Sequence, residues 1–206
     1  MQQSMQIEII KELLDHLDNK RTADAGRIVV NPTSTYTDKA LAEREWEAFF
    51  KNHPQVLGMS GELPKPGSYM TMNDFGVPIL ATRDEHGQFH AFVNACRHRG
   101  AELTTEAHGD KNRFTCPFHG WTFANDGRLL GVRQSDQFGK IDKNCNGLIE
   151  LPSEEKYGLL FVHPQVNGTL DIDALLGEEL AAELAAWELH RCEYQGESVL
   201  DKPLNW

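Results

Sequence analysis

The chain has 206 residues, with 31 acidic and 20 basic side chains, a formal charge of −11 and 40% hydrophobic residues. That length suits one domain with appendages or two small ones, and the composition is that of a folded protein, not a disordered one. The acidity argues against a general nucleic-acid binder, no apolar run approaches the ~20 residues needed to cross a bilayer, and Met1-Gln-Gln-Ser-Met-Gln6 lacks an export signal.

The expectation is therefore a cytoplasmic protein with no membrane or nucleic-acid partner. In chain order, residues 3–19 read as an amphipathic helix. Ile10, Leu13, Leu14 and Leu17 fall at helical spacing, with Glu12, Asp15 and Asp18 opposite. Asn31 to Thr35 reads as a loop. A second helix is predicted over 38–50, its stripe made by Ala42, Trp46, Phe49 and Phe50. Beyond Pro64-Lys-Pro-Gly67 the texture becomes β-rich, with runs at 68–72, 77–82, 88–94, 113–116, 121–124 and 157–163. Arg83-Asp-Glu-His-Gly87 is a hairpin connection, and Asn125-Asp-Gly127 is a further turn signal. Many short strands at close spacing predict a small antiparallel β domain over residues 45–165. After His163-Pro164 a helical pattern returns through Leu176, Leu180, Leu184 and Trp187, and residues 197–203 read as one more strand. The expected class is thus α+β, mainly β, with helices at both ends. The apolar finish at Leu204-Asn-Trp206 reads as a cut chain.

Two motifs carry the chemistry: Cys96-Arg-His98-Arg-Gly100 and Cys116-Pro-Phe-His119-Gly-Trp121, with 17 residues between His98 and Cys116. Each supplies one thiolate and one imidazole from a short loop, with a glycine after the histidine where the chain must turn. A Cys2His2 set admits a structural zinc ion, held tetrahedrally. It also admits a Rieske [2Fe–2S] centre, with both cysteines on one iron and both histidines on the other. The order Cys-x-His … Cys-x-x-His favours the Rieske reading, because zinc sites more often open with a Cys-x2–4-Cys hook. Cys145 and Cys192 stand alone and read as buried, inert thiols. The other seven histidines have no ligand-like spacing.

With Glu62-Leu-Pro-Lys-Pro-Gly67, Phe92-Val-Asn-Ala-Cys-Arg-His-Arg-Gly-Ala101, Phe114-Thr-Cys-Pro-Phe-His-Gly-Trp-Thr122, Asp126-Gly-Arg128 and Tyr157-Gly-Leu-Leu-Phe161, the chain resembles the N-terminal portion of the α subunit of Rieske non-haem iron ring-hydroxylating oxygenases. The resemblance implies a helical segment over 1–44, a Rieske domain over 45–165, and the start of a catalytic domain over 166–206. It further implies a [2Fe–2S] cluster on Cys96, His98, Cys116 and His119, with no catalytic residue in this chain. Single electrons would come from a ferredoxin or reductase. They would pass to a mononuclear Fe(II) in a catalytic domain outside this chain, which activates O2 for an aromatic substrate. A homo-oligomer, trimer-like, or an α/β assembly is implied for the full-length protein. A stand-alone Rieske ferredoxin and a zinc-stabilised binding module remain as alternatives.

Two thiolates and two neutral imidazoles leave an oxidised cluster with no net charge, so an added electron meets less repulsion than on an all-cysteine cluster. Respiratory Rieske proteins resemble this pattern but add a loop disulfide and a serine bonded to a cluster sulfide. The corresponding positions here are Ala101, Phe118 and Trp121. The segment from Cys96 to Arg133 carries six Lys/Arg and four Asp/Glu, a relatively basic patch in an acidic chain. It suits either an acidic electron donor or local neutralisation. With fewer groups stabilising the reduced state, the midpoint potential is expected near the bottom of the roughly −150 to +300 mV Rieske range. A redox titration giving a clearly positive potential contradicts this.

Overall fold

The structure, a computed structural model, describes residues 2–196 and 198–202. These divide into two units, 2–41 and 42–202. The first contains helix α1 (Gln3–Asp18), whose apolar residues Ile10, Leu13, Leu14 and Leu17 are exposed in this chain. The predicted loop at 31–35 is instead occupied by a 3-10 turn, Thr33–Tyr36. Helix α2 (Lys39–Glu45) continues into a π-helical segment, Trp46–Lys51, in which Trp46 stacks on Phe50 with ring centroids 5.0 Å apart.

The second unit is built on β1 (Gln55–Met59), β2 (Ser68–Met72), β3 (Ile79–Arg83), β4 (Phe89–Val93), β5 (His108–Asp110), β6 (Arg113–Thr115), β7 (Thr122–Ala124), β8 (Leu129–Gly131), β9 (Glu150–Leu151), β10 (Ser153–Lys156) and β11 (Leu159–Val162). They form three antiparallel sheets, ordered β5-β2-β3-β4-β9, β1-β11-β10 and β6-β7-β8. Side chains alternate along a strand, and in the five-stranded sheet the two sets feed two cores. Met70, Ile79, Ala81 and Ala91 pack with Leu57, Leu160 and Val162 of the β1-β11-β10 sheet. Tyr69, Leu80 and Phe92 point the other way, into a core with Phe114, Phe123 and Leu129 of the β6-β7-β8 sheet. Burial on both faces explains why β3 reads as the continuous run Ile-Leu-Ala.

The connection at 83–87 is the expected hairpin. The Asp84 carboxylate accepts from the backbone N–H groups of His86 (2.9 Å) and Gln88 (2.8 Å). Burial pushes its pKa up, but the N–H donors and His90 outweigh this and hold it below the ordinary carboxylate value. The run at 157–163 needs correction. Tyr157 and Gly158 both have positive φ (54° and 77°) and make the two-residue turn between β10 and β11, so the strand begins at Leu159. Helix α3 (Ile172–Ala186) is capped by the Asp171 side chain on Ala174 N (3.0 Å) and broken at Gly177 (φ 70°, ψ 168°). Residues 198–202 form no strand, and Glu197 and Pro203 of that predicted run lie outside the described residues.

The Asn125-Asp-Gly127 turn locks the β7–β8 hairpin to the sheet beneath the candidate site. Gly127 has φ 81°, its carbonyl accepts from Leu148 N at 2.8 Å, and an added Cβ would lie 2.5 Å from the Phe92 ring. Gly127→Ala combines left-handed strain with a clash against a fully buried ring. It is expected to lower unfolding free energy by about 2 kcal/mol or more, read by chemical denaturation.

Candidate metal centre

The first motif lies in the loop that leaves β4 and the second in the turn joining β6 to β7, and the two loops share one backbone frame. In the first, Cys96 N–H donates to the Ala101 carbonyl and Gly100 N–H to the Cys96 carbonyl, both at 2.8 Å. In the second, Cys116 N–H donates to the Trp121 carbonyl (2.8 Å) and Gly120 N–H to the Cys116 carbonyl (3.0 Å). Gly100 and Gly120 take φ of 72° and 71°, which closes each turn in a conformation that only glycine enters without strain. Within this common frame the histidine sits two residues after the first cysteine and three after the second. The sequence spacing therefore reflects which loop position faces the partner loop, not two different loop shapes.

The loops bring the four side chains together in like pairs. His98 Nδ1 and His119 Nδ1 are 3.2 Å apart, with their rings near perpendicular (71°). Cys96 and Cys116 are both free thiols, both buried, and close enough to interact directly. Burial pushes the Cys96 thiol above its ordinary pKa and the Cys116 sulfur adds to this, while the N–H groups of His98 and Arg99 act in the opposite direction. His98 is held below the usual imidazole value, first by desolvation and then by His119 and the Arg99 guanidinium. The neutral ring this favours is the metal-ligating form.

This donor set fits a metal group. Imidazole nitrogens about 2.1 Å from one tetrahedral ion stand roughly 3.4 Å apart, close to the observed separation. Two adjacent buried thiols would repel as thiolates unless cations neutralise them. A pair of thiols and a pair of imidazoles suits two metal atoms.

Aromatic rings pack against both imidazoles. Trp121, buried at 5% exposure, lies flat against His98 (centroids 5.5 Å, interplanar 7°), and Phe118, 59% exposed, sits 3.8 Å from the His119 ring. Two supporting residues were not singled out from the sequence. Phe138 meets His98 edge-on at 5.1 Å from a segment with no local ligand signal. Asn94 is buried and braces the first loop, donating to the Thr104 carbonyl (2.8 Å) and accepting from Leu103 N–H (3.2 Å). Its only sequence signal is its place in the Phe92-Val-Asn-Ala-Cys run. Cys145 and Cys192 are exposed, not buried as expected. Cys145 ends the short 3-10 turn Lys143–Cys145, and Cys192 directly follows the 3-10 turn Leu189–Arg191.

Exposure therefore separates the thiols. In the native metal-free chain Cys145 and Cys192 are expected to react at least about tenfold faster with an aromatic disulfide reagent than Cys96 and Cys116, with all four equivalent in denaturant. Four equally reactive native thiols would contradict the geometry.

Comparison with known proteins agrees with this arrangement. Residues 53–151 match the family described as Rieske [2Fe-2S] domain. The chain is 33% identical over 175 residues to the carnitine monooxygenase oxygenase subunit of Acinetobacter baumannii, covering 85% of this chain and 47% of that protein. It is 34% identical over 144 residues to the anthranilate 1,2-dioxygenase large subunit of Acinetobacter baylyi, covering 69% of this chain and 31% of that one. Among solved structures, a quaternary ammonium Rieske monooxygenase in complex with L-carnitine superposes with a TM-score of 0.66 at 33% identity, covering 75% of this chain and 44% of that chain. The chain thus spans less than half the length of these relatives. It carries a Rieske [2Fe–2S] domain, and over its matched length it is similar to the Rieske-bearing N-terminal portion of Rieske oxygenase large subunits.

Proposed function

We propose that Cys96, His98, Cys116 and His119 hold the [2Fe–2S] cluster, thiolates on one iron and imidazoles on the other, and that the chain is the electron-entry portion of a Rieske oxygenase. The observation that carries this is the pairing itself, Nδ1 to Nδ1 at 3.2 Å beside two adjacent buried thiols. When bound, such a group takes up and hands on one electron at a time. The chain's own residues set the conditions. Burial of Cys96 and Cys116 excludes water, and the His98 and Arg99 N–H groups stabilise thiolate at Cys96. Trp121 and Phe138 fix the His98 ring, and the partly exposed imidazole pair leaves a route to the surface. Arg97 and Arg99 are exposed in the first ligand loop and suit an acidic ferredoxin or reductase, with Arg113 exposed at the start of β6.

In this reading residues 45–165 are the Rieske domain. Residues 1–44 and 166–206 belong with a catalytic domain that holds a mononuclear Fe(II), matching the length of the relatives this chain leaves uncovered. The full-length protein then oxygenates an organic substrate, as a homo-oligomer or α/β assembly in the cytoplasm. An aromatic substrate follows the dioxygenase relatives. A quaternary amine is a second reading, following the carnitine monooxygenase subunit, which is 33% identical over 85% of this chain. Oxygen uptake by the full-length protein with its reductase, offered an aromatic carboxylate or carnitine, separates the two.

The purified chain is expected to be red-brown, with about two irons and two acid-labile sulfides per chain. Cys96→Ala or His119→Ala should lose at least about tenfold of the bound iron. A colourless protein carrying one zinc supports the binding-module alternative and overturns the proposal. Reduction by the donor should slow steeply as salt rises. A salt-independent rate dismisses the basic docking patch.

A further inference from the structure

Among the described residues, three buried side-chain polar atoms have no hydrogen-bond partner: Ser60 Oγ, Trp121 Nε1 and Asn125 Oδ1. Trp121 Nε1 is the one that belongs to the same buried side-chain group as Cys96 and Cys116. An indole nitrogen is a donor only, so neither rotation nor a change of protonation gives it an alternative role. Buried donors in native proteins are overwhelmingly paired, and an orphan marks an acceptor that the protein atoms do not supply. Nothing in the local geometry allows the ring to swing out to water. The Trp121 carbonyl is tied to Cys116 N–H at 2.8 Å, the indole plane lies 7° from that of His98, and Phe138 closes over it with centroids 6.0 Å apart.

We infer that Trp121 Nε1–H donates a hydrogen bond to a sulfur of the bound cluster, making Trp121 a positioning and tuning residue for electron uptake. The inference rests on the ligand assignment proposed above. Sulfur gains negative charge as the cluster is reduced, so a donor aimed at it stabilises the reduced state more than the oxidised one. Its removal makes the cluster harder to reduce. Phe118 and Phe138, the other aromatic residues beside the candidate ligands, carry no donor, so neither can substitute.

The test uses the cluster-loaded chain with indole-15N tryptophan, reduced by one electron and examined by pulsed paramagnetic resonance. A resolved coupling to one indole nitrogen is expected in the wild type. It should vanish in Trp121→Phe, whose midpoint potential should shift negative at unchanged iron and sulfide content. A loaded wild type without indole coupling overturns the inference, as when the N–H is bonded to a buried water. So does a loaded Trp121→Phe chain of unaltered potential. If that variant fails to fold or load, the wild-type coupling decides alone. A wild type that binds no iron and sulfide fails at the earlier step, because the ligand assignment itself then falls.

Discussion

Two buried sulfurs side by side are the constraint around which this domain is arranged. Burial pushes the Cys96 thiol toward its neutral form, and a pair of thiolates at close range would repel strongly. The arrangement becomes favourable only when positive charge sits between or beside them. The backbone N–H groups of His98 and Arg99 act in that direction at Cys96. A catalytic thiol would be exposed and activated, and a packing thiol would need no second sulfur. Paired burial suits the cofactor cradle proposed above.

The fold explains how two loops separated along the chain can present such a cradle. The five-stranded sheet is buried on both faces, which makes it a rigid floor. The β6-β7-β8 sheet packs on one face and carries the second loop at its end, while the first loop leaves β4 and is braced by Asn94. Cross-links of the kind Thr82 Oγ1 to the Asn125 carbonyl (2.6 Å) and Asn125 Nδ2 to the Lys111 carbonyl (2.7 Å) tie the sheets together. An electron-transfer site benefits from this stiffness, since ligands that do not shift when charge arrives keep the reorganisation cost small.

The remaining features point outward. The apolar stripe of α1 is exposed in this chain, as are Leu180 and Trp187 along and just beyond α3. Amphipathic faces of this kind are buried in complete domains. Their exposure accords with a chain that spans less than half of its relatives' length.

Much of the site was legible in the linear pattern, for a definite reason. Ligand identity, ligand order and a glycine after each histidine are local properties, set by what a thiolate, an imidazole and a left-handed turn require. The apolar strands β2, β3, β4 and β11 were legible too, because burial imposes their composition. What needed the tertiary structure depends on contacts between distant segments. Strand β10, Ser153-Glu-Glu-Lys156, has no apolar alternation and exists because β11 pairs with it. The three-residue strand β5 likewise exists because β2 pairs with it. Phe138 and Asn94 acquire their roles only when the loops converge, and the two lone cysteines proved exposed. The pairing of thiol with thiol and imidazole with imidazole was implied by the Rieske reading of the motifs, whereas the approach of the two loops was seen only in three dimensions. Spacing says which side chains share a loop, whereas the packing of one sheet upon another says which of them meet.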